Sequence, residues 1–190
     1  MPLVIEVPPR ELFDEAEMKL FYTPKTILTL EHSLLSVSRW ESKWKKPYLA
    51  QLVLTAEANK KTPEEQLDYI RCMTIGDKSV DHAVYKALDA DMMKKIEDYI
   101  SDPMSATSVA KQAGKAPNRE IVTSEVIYYW MTALQIPFRP CETWHLNRLM
   151  KLIEVCAAKN EPPKKMSQSA AIGRRHSVNT ARRAAHRRPR

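Results

Sequence analysis

The sequence predicts a mainly helical, α+β protein: a compact helical domain with a small N-terminal β-ribbon and a basic C-terminal arm that is disordered or partly helical. Three observations predict it. Apolar residues recur at three- and four-residue steps through most of the chain, the period of a helix with one buried face. Only 3 of 190 residues are glycine, which argues against a loop-rich β architecture. The charge is also divided. No acidic residue follows Glu161, and Lys164, Lys165, Arg174, Arg175, Arg182, Arg183, Arg187, Arg188 and Arg190 carry +9 against a chain total of +7. Residues 1–163 are thus a globular body at −2, and residues 164–190 a cationic arm.

The elements follow in order. Leu3–Val7 is short and rich in β-branched residues, and Pro8-Pro9 closes it. Met18–Tyr22 is a second apolar run that stops before Pro24, so the two are expected to pair as a ribbon spanning about 3–22. From Thr26 to Lys46 the pattern reads as helix, with Leu30, Leu34, Val37, Trp40 and Trp44 on one face and Pro47 as the stop. Thr62-Pro63-Glu64-Glu65 is a capping box with proline at the first helical position, and Leu67, Ile70 and Met73 line the helix it opens. Asp81 opens a short helix bearing Val84 and Leu88. Another is expected over Ala90–Ile100, with Met92, Met93, Ile96 and Ile100 as its stripe.

Residues 104–119, rich in Ser, Ala, Lys, Gly and Pro, read as a mobile loop. Helices are then expected over Ser124–Leu134 and Glu142–Lys159. Ile136–Pro140 joins them as a connector short enough to make them antiparallel neighbours. Leu146, Leu149, Met150, Ile153, Cys156 and Ala157 form the inner stripe of the second, with Asn147, Arg148, Lys151 and Glu154 facing away. Asn160-Glu161-Pro162-Pro163 begins the arm. Charge repulsion and Gly173 favour disorder there, although Ala181–Ala185 suits a helix formed on a partner.

A hydrophobic content of 44%, 28% charged residues and 4 Trp suit a soluble folded protein with an ordinary core. The 3 cysteines are odd in number and fit no zinc-ribbon or paired redox spacing, so reduced thiols are expected. The N-terminus lacks the basic and apolar regions of a secretory signal, and no apolar run is long enough to span a membrane.

Chemistry-bearing residues are sparse. Cys141 and His145 stand four apart with Cys156 beyond, but zinc needs three or four convergent ligands, and His32, His82, His176 and His186 are scattered singly. No metal or cofactor is expected. Glu31-His32-Ser33 places acid, base and hydroxyl side by side, yet adjacent helical residues point about 100° apart and cannot converge as a triad. No phosphate-cradling loop can be assembled, so no catalytic residue is assigned. Partner binding remains. Trp40 and Trp44 share a helical face, and Trp130 and Trp144 add large rings that serve equally as core or as interface anchors. Arg174, Arg175, Arg182, Arg183, Arg187 and Arg188 supply forked donors for anions. The arm has no aromatic residue for base stacking, so any nucleic acid it held would be held through phosphates.

Two segments carry a family resemblance. Leu30-Glu31-His32-Ser33-Leu34-Leu35-Ser36-Val37-Ser38-Arg39-Trp40-Glu41-Ser42-Lys43-Trp44 resembles a run near the start of tail-module proteins of long-tailed bacteriophages. Trp144-His145-Leu146-Asn147-Arg148-Leu149, continuing through Ile153, Cys156, Lys159-Asn160 and Pro162-Pro163-Lys164-Lys165-Met166-Ser167, resembles a run near their end, and Ile127-Tyr128-Tyr129-Trp130-Met131 also fits. Members are described as tail assembly chaperones. The resemblance implies a non-enzymatic protein of the host cytoplasm whose partners are the tape-measure and tail-tube proteins, with no membrane involved and self-association left open. Its alternative is a structural virion component, a neck, connector or minor tail protein, whose arm meets nucleic acid or an acidic partner. Ala170–His176 departs from the more regular helical pattern of the family, so the arm's role does not carry over with the rest.

Overall fold

The computed structural model describes residues 1–14, 18–49, 61–76, 80–107, 121–160 and 168–186. The chain divides into two units, Met1–Ala158 and Lys159–Arg190, a boundary earlier than the 163/164 junction expected from charge.

The first unit opens with four strands: β1 (Leu3–Val7), β2 (Arg10–Asp14), β3 (Lys19–Thr23) and β4 (Thr26–Leu30). The ribbon is longer than expected and paired differently. β1 joins β4, with Leu3 opposite Leu30 and Val7 opposite Thr26, and β2 joins β3, with Arg10 opposite Thr23 and Asp14 opposite Lys19. One register runs through both ladders, so they are two halves of a single hairpin interrupted where Pro8-Pro9 faces Pro24-Lys25. Proline has no N–H to give a ladder, which is why pairing lapses there. The interruption also changes the buried face. Ile5, Val7, Leu28 and Leu30 are buried before it, and an unbroken alternation would then bury positions 9, 11 and 13. Instead Arg10, Leu12, Phe21 and Thr23 are the more covered residues, while Glu11, Phe13, Leu20 and Tyr22 are exposed. The Thr23 hydroxyl closes the joint, accepting from Arg10 N–H (3.3 Å) and donating to Arg10 O (3.1 Å).

Thr26–Leu30 was expected to begin a helix and is a strand. Its buried residues, Leu28 and Leu30, alternate with exposed Ile27, and the helical count was misled because Leu30 also falls four residues before Leu34. Helix α1 (Leu34–Trp44) starts later, capped by Ser33, whose hydroxyl accepts the Ser36 N–H at 3.3 Å. α2 (Pro63–Met73) carries both halves of the Thr62–Glu65 capping box. α3 (His82–Lys86) and α4 (Ala90–Ser101) are capped by Asp81 and Asp89.

α5 (Ser124–Ala133) has no side-chain cap of its own. The Glu41 carboxylate accepts its first N–H, Ser124 to Oε2 at 2.7 Å, and the Tyr48 N–H on Oε1 at 2.8 Å. The connector expected over Ile136–Pro140 overlaps a short helix, α6 (Phe138–Cys141). α7 (Leu146–Asn160) starts four residues later than expected, because Glu142–His145 is drawn into contact with the N-terminus of α1. For the same reason the main helix packing is α1 against α2 and α5, rather than α5 against α7. Asn147, expected to face away, donates to the carbonyls of Ile100 (2.9 Å) and Asp102 (2.7 Å) and closes the end of α4.

The core joins Leu28, Leu30, Leu34, Val37, Trp40, Ile70, Met73, Ile127, Met131, Leu146 and Leu149. The second unit holds α8 (Gln168–His186), so the arm is helical across Gly173, where disorder was favoured. Most of the loop expected over 104–119 lies outside the described residues.

The face change at the prolines is testable by urea unfolding. Leu28→Ala should cost about 2–5 kcal/mol as a core truncation, and Leu20→Ala no more than about 0.5 kcal/mol as a surface change. Equal losses would mean that both ladders bury the same face.

Candidate functional site

The two segments that carry the family resemblance meet in space. Residues 29–35 run extended into α1 and are bonded through their backbone to two remote parts of the chain. Ile75 N–H donates to Thr29 O (2.8 Å) and Glu31 N–H to Met73 O (2.9 Å). Leu146 N–H donates to His32 O (2.7 Å) and Leu35 N–H to Glu142 O (3.3 Å). Isolated antiparallel bridges, Leu30 with Thr74 and Ser33 with His145, mark the two junctions.

This seam buries two histidines. His32 is 2% exposed, and its Nδ1 is hydrogen-bonded to the Tyr69 hydroxyl. Burial raises the Tyr69 phenol well above its ordinary range, so the phenol keeps its proton. Burial, and then the neighbouring His145, push the His32 pKa down to about 3. The rings of His32 and His145 lie 5.1 Å apart, edge to face. His145 Nε2 donates to Tyr99 O (3.0 Å), because a carbonyl can only accept, and Nδ1 accepts the Asn147 N–H (3.3 Å). The Tyr99 hydroxyl donates to Glu31 Oε1 at 2.6 Å, and burial followed by that carboxylate raises its pKa. Tyr48 stacks on Tyr69 at 3.9 Å, with the Lys61 ammonium 4.1 Å from the Tyr48 ring centre.

Glu31, His32 and Ser33 therefore do not form a triad, but not for the reason expected. They precede the helix, and their side chains reach three different partners: Tyr99, Tyr69 and Ser36. Chemically the seam holds together rather than reacts. His32 is a poor base at neutral pH and is sealed from water, the tyrosines are kept protonated, and burial pushes the half-buried Cys72 thiol up to about 11. Among the described residues no buried side-chain polar atom lacks a hydrogen-bond partner, and no three His, Cys, Asp or Glu side chains converge on a metal position. No helix among them is long and apolar enough to cross a membrane.

The residues singled out from the sequence are not gathered into one site. Trp40 is 1% exposed and donates its Nε1–H to Glu65 O at 2.8 Å, so it is a core residue and cannot anchor a partner. Trp44, half-buried 6.4 Å from it, donates to Asp68 Oδ2 at 2.9 Å. The indole pair is spent on binding α1 to α2. Trp130 lies half-buried on α5, and Trp144 lies half-buried with the Arg148 guanidinium 4.5 Å over its ring. Arg174, Arg175, Arg182 and Arg183 are exposed on α8, and Arg187 and Arg188 lie outside the described residues. At 100° per residue Arg175 and Arg182 fall within about 20° of one another, roughly 10 Å apart along the axis.

Sequence reasoning expected a ribbon through Met18–Tyr22 but missed its exposed apolar face. Phe13 (57% exposed) and Leu20 (66%) face each other across the ladder beside Tyr22 (69%), which makes an apolar outward face. Met18–Tyr22 reads as one apolar run, and with Leu20, Phe21 and Tyr22 consecutive its spacing carries no signal of which face turns outward.

Comparison of the chain with protein-family models, with curated proteins and with solved structures returns no match.

The His32 environment predicts a pH dependence. The unfolded chain takes this proton near pH 6.5 and the folded protein near pH 3, so the unfolded state binds more protons between those values. The contribution is complete above pH 6.5 and is lost as pH falls. Urea unfolding at pH 7 and pH 5 should show wild type losing about 2 kcal/mol more than His32→Gln. Equal losses would place His32 in contact with water.

Proposed function

We propose that this protein is a non-enzymatic tail assembly chaperone of a long-tailed bacteriophage, working in the host cytoplasm on the tape-measure and tail-tube proteins. The observation that carries this reading is the outward apolar face of β2–β3, where Phe13 and Leu20 stand opposite one another with Tyr22 beside them, all exposed. A tape-measure protein is a long helical chain with an apolar stripe that aggregates before the tube encloses it. Phe13, Leu20 and Tyr22 offer such a stripe a small flat counterface. A small contact binds weakly, so many copies can coat one long chain and still yield to tube subunits as they polymerise. The resemblance of Leu30–Trp44 and of the run from Trp144 to Ser167 supports the same assignment.

A structural virion component is the second reading, favoured by the exposed arginines of α8 and the absence of any acidic residue after Glu161. It differs in two observable ways. A component appears in purified particles at fixed copy number, and its DNA retention disappears with residues 164–190.

Co-expression is the test of the first reading. Wild type should raise the soluble yield of the tape-measure protein several-fold. Phe13→Asp with Leu20→Asp should abolish that rescue while leaving the chaperone's own thermal midpoint nearly unchanged. Precipitation unchanged by wild type would overturn the assignment, and rescue unchanged in the double variant would overturn the ribbon's part in it.

A further inference from the structure

A cleft of about 400 Å³ opens between α1 and α2, separate from the histidine seam and from the outer ribbon. Arg39 and Lys43, four residues apart on α1, form one wall, and Asp68, Arg71 and Cys72 on α2 form the other. Thr74 and Tyr85 are its floor.

Among the described residues the charges lining this cleft do not balance. The one carboxylate among them is already used: Asp68, 5% exposed at its side chain, takes Lys43 Nζ on Oδ1 at 2.5 Å and Trp44 Nε1–H on Oδ2 at 2.9 Å. Arg39 makes only a marginal contact, Nη1 to Cys72 O at 3.5 Å, and Arg71 has no hydrogen bond or ion pair among the described residues. Two guanidinium forks therefore border one cleft with no acid among the described residues to receive them. The floor does not compensate. Thr74 Oγ1 donates to Ile70 O (3.2 Å), so Tyr85 must donate to Thr74 (2.9 Å), and both hydroxyl protons are committed. Cys72 stays a neutral thiol and supplies no anion from within.

We infer that the α1–α2 cleft binds a compact oxyanion, a carboxylate or phosphate group held between the forks of Arg39 and Arg71. Planar guanidinium suits such groups because it presents paired N–H donors in a fixed geometry. A concave site lined by one sign of charge also concentrates the opposite sign at its mouth. The volume lies toward the small end of the range for small-molecule sites, about 300–1,000 Å³. It admits one small polyanion or one acidic side chain of a partner. Both sources offer the same chemistry, and the inference does not rest on the assembly role.

Calorimetric titration tests it in the full-length chain, with α8 silenced by substituting Arg174, Arg175, Arg182 and Arg183 with Gln so that the arm cannot supply the signal. The probes are inorganic phosphate, citrate and a hexaglutamate peptide. At least one should bind, and Arg39→Gln or Arg71→Gln should each weaken it about tenfold or more, the loss of a charge-assisted hydrogen bond. Both residues are exposed, so an unchanged thermal midpoint will show that the variants fold. Binding of phosphate or citrate assigns the cleft to a free small anion, and binding of hexaglutamate alone assigns it to an acidic partner segment. No binding by any probe, or affinity unchanged in both variants, overturns the inference.

Discussion

The body depends on the extended segment at residues 29–33, which together with the first turn of α1 is hydrogen-bonded through its backbone in two directions at once. On one side it receives the end of α2, through Met73 and Ile75, and on the other the approach to α7, through Glu142 and Leu146. A helix at this point would spend those N–H and C=O groups on itself and leave its neighbours' groups unpaired in the core. Strand geometry here lets three distant stretches share one interior. It also explains why α1 and α7 both begin later than their apolar spacing suggests.

That architecture brings polar groups inside, and each is matched. Glu41 replaces a missing cap on α5 and holds the Tyr48 backbone as well. Glu65 completes the α2 capping box while paired with Lys46 at 2.5 Å. The Lys46 hydrogen bond, and then the Thr62 N–H, hold its carboxyl below the usual range. Asp68 takes Lys43 and Trp44 together. Groups committed in this way are costly to disturb, because the partner of any lost group is left buried and unpaired. The outer ribbon, the α1–α2 cleft and the arginines of α8 are among the groups the core leaves uncommitted.

Much of the fold was legible in the sequence because it rested on local chemistry. The Thr62–Glu65 capping box, the Asp81 start and the Met92–Ile100 stripe all depend on residues within a few turns of one another. The hairpin register was not legible, since the prolines that end one ladder also permit the next, and only tertiary burial decides which face turns inward. Nor were the interior carboxylates, because Glu41 and Asp68 look like surface charges until their distant partners are known. The indoles illustrate the same limit. Trp40 and Trp44 share a helical face as read, but that face meets α2. The Arg39–Arg71 cleft was least legible, because it joins residues far apart in sequence and has no local motif.

Native-state hydrogen exchange of the free chain tests the central claim, that the seam is a closed structural joint and not a binding surface. The Glu31, Ile75 and Leu146 amides should exchange only through global unfolding, with the same free energy and denaturant dependence as the whole body. Exchange of these amides orders of magnitude faster than global unfolding would contradict the account, because the histidine seam would then open on its own and stand available to partners.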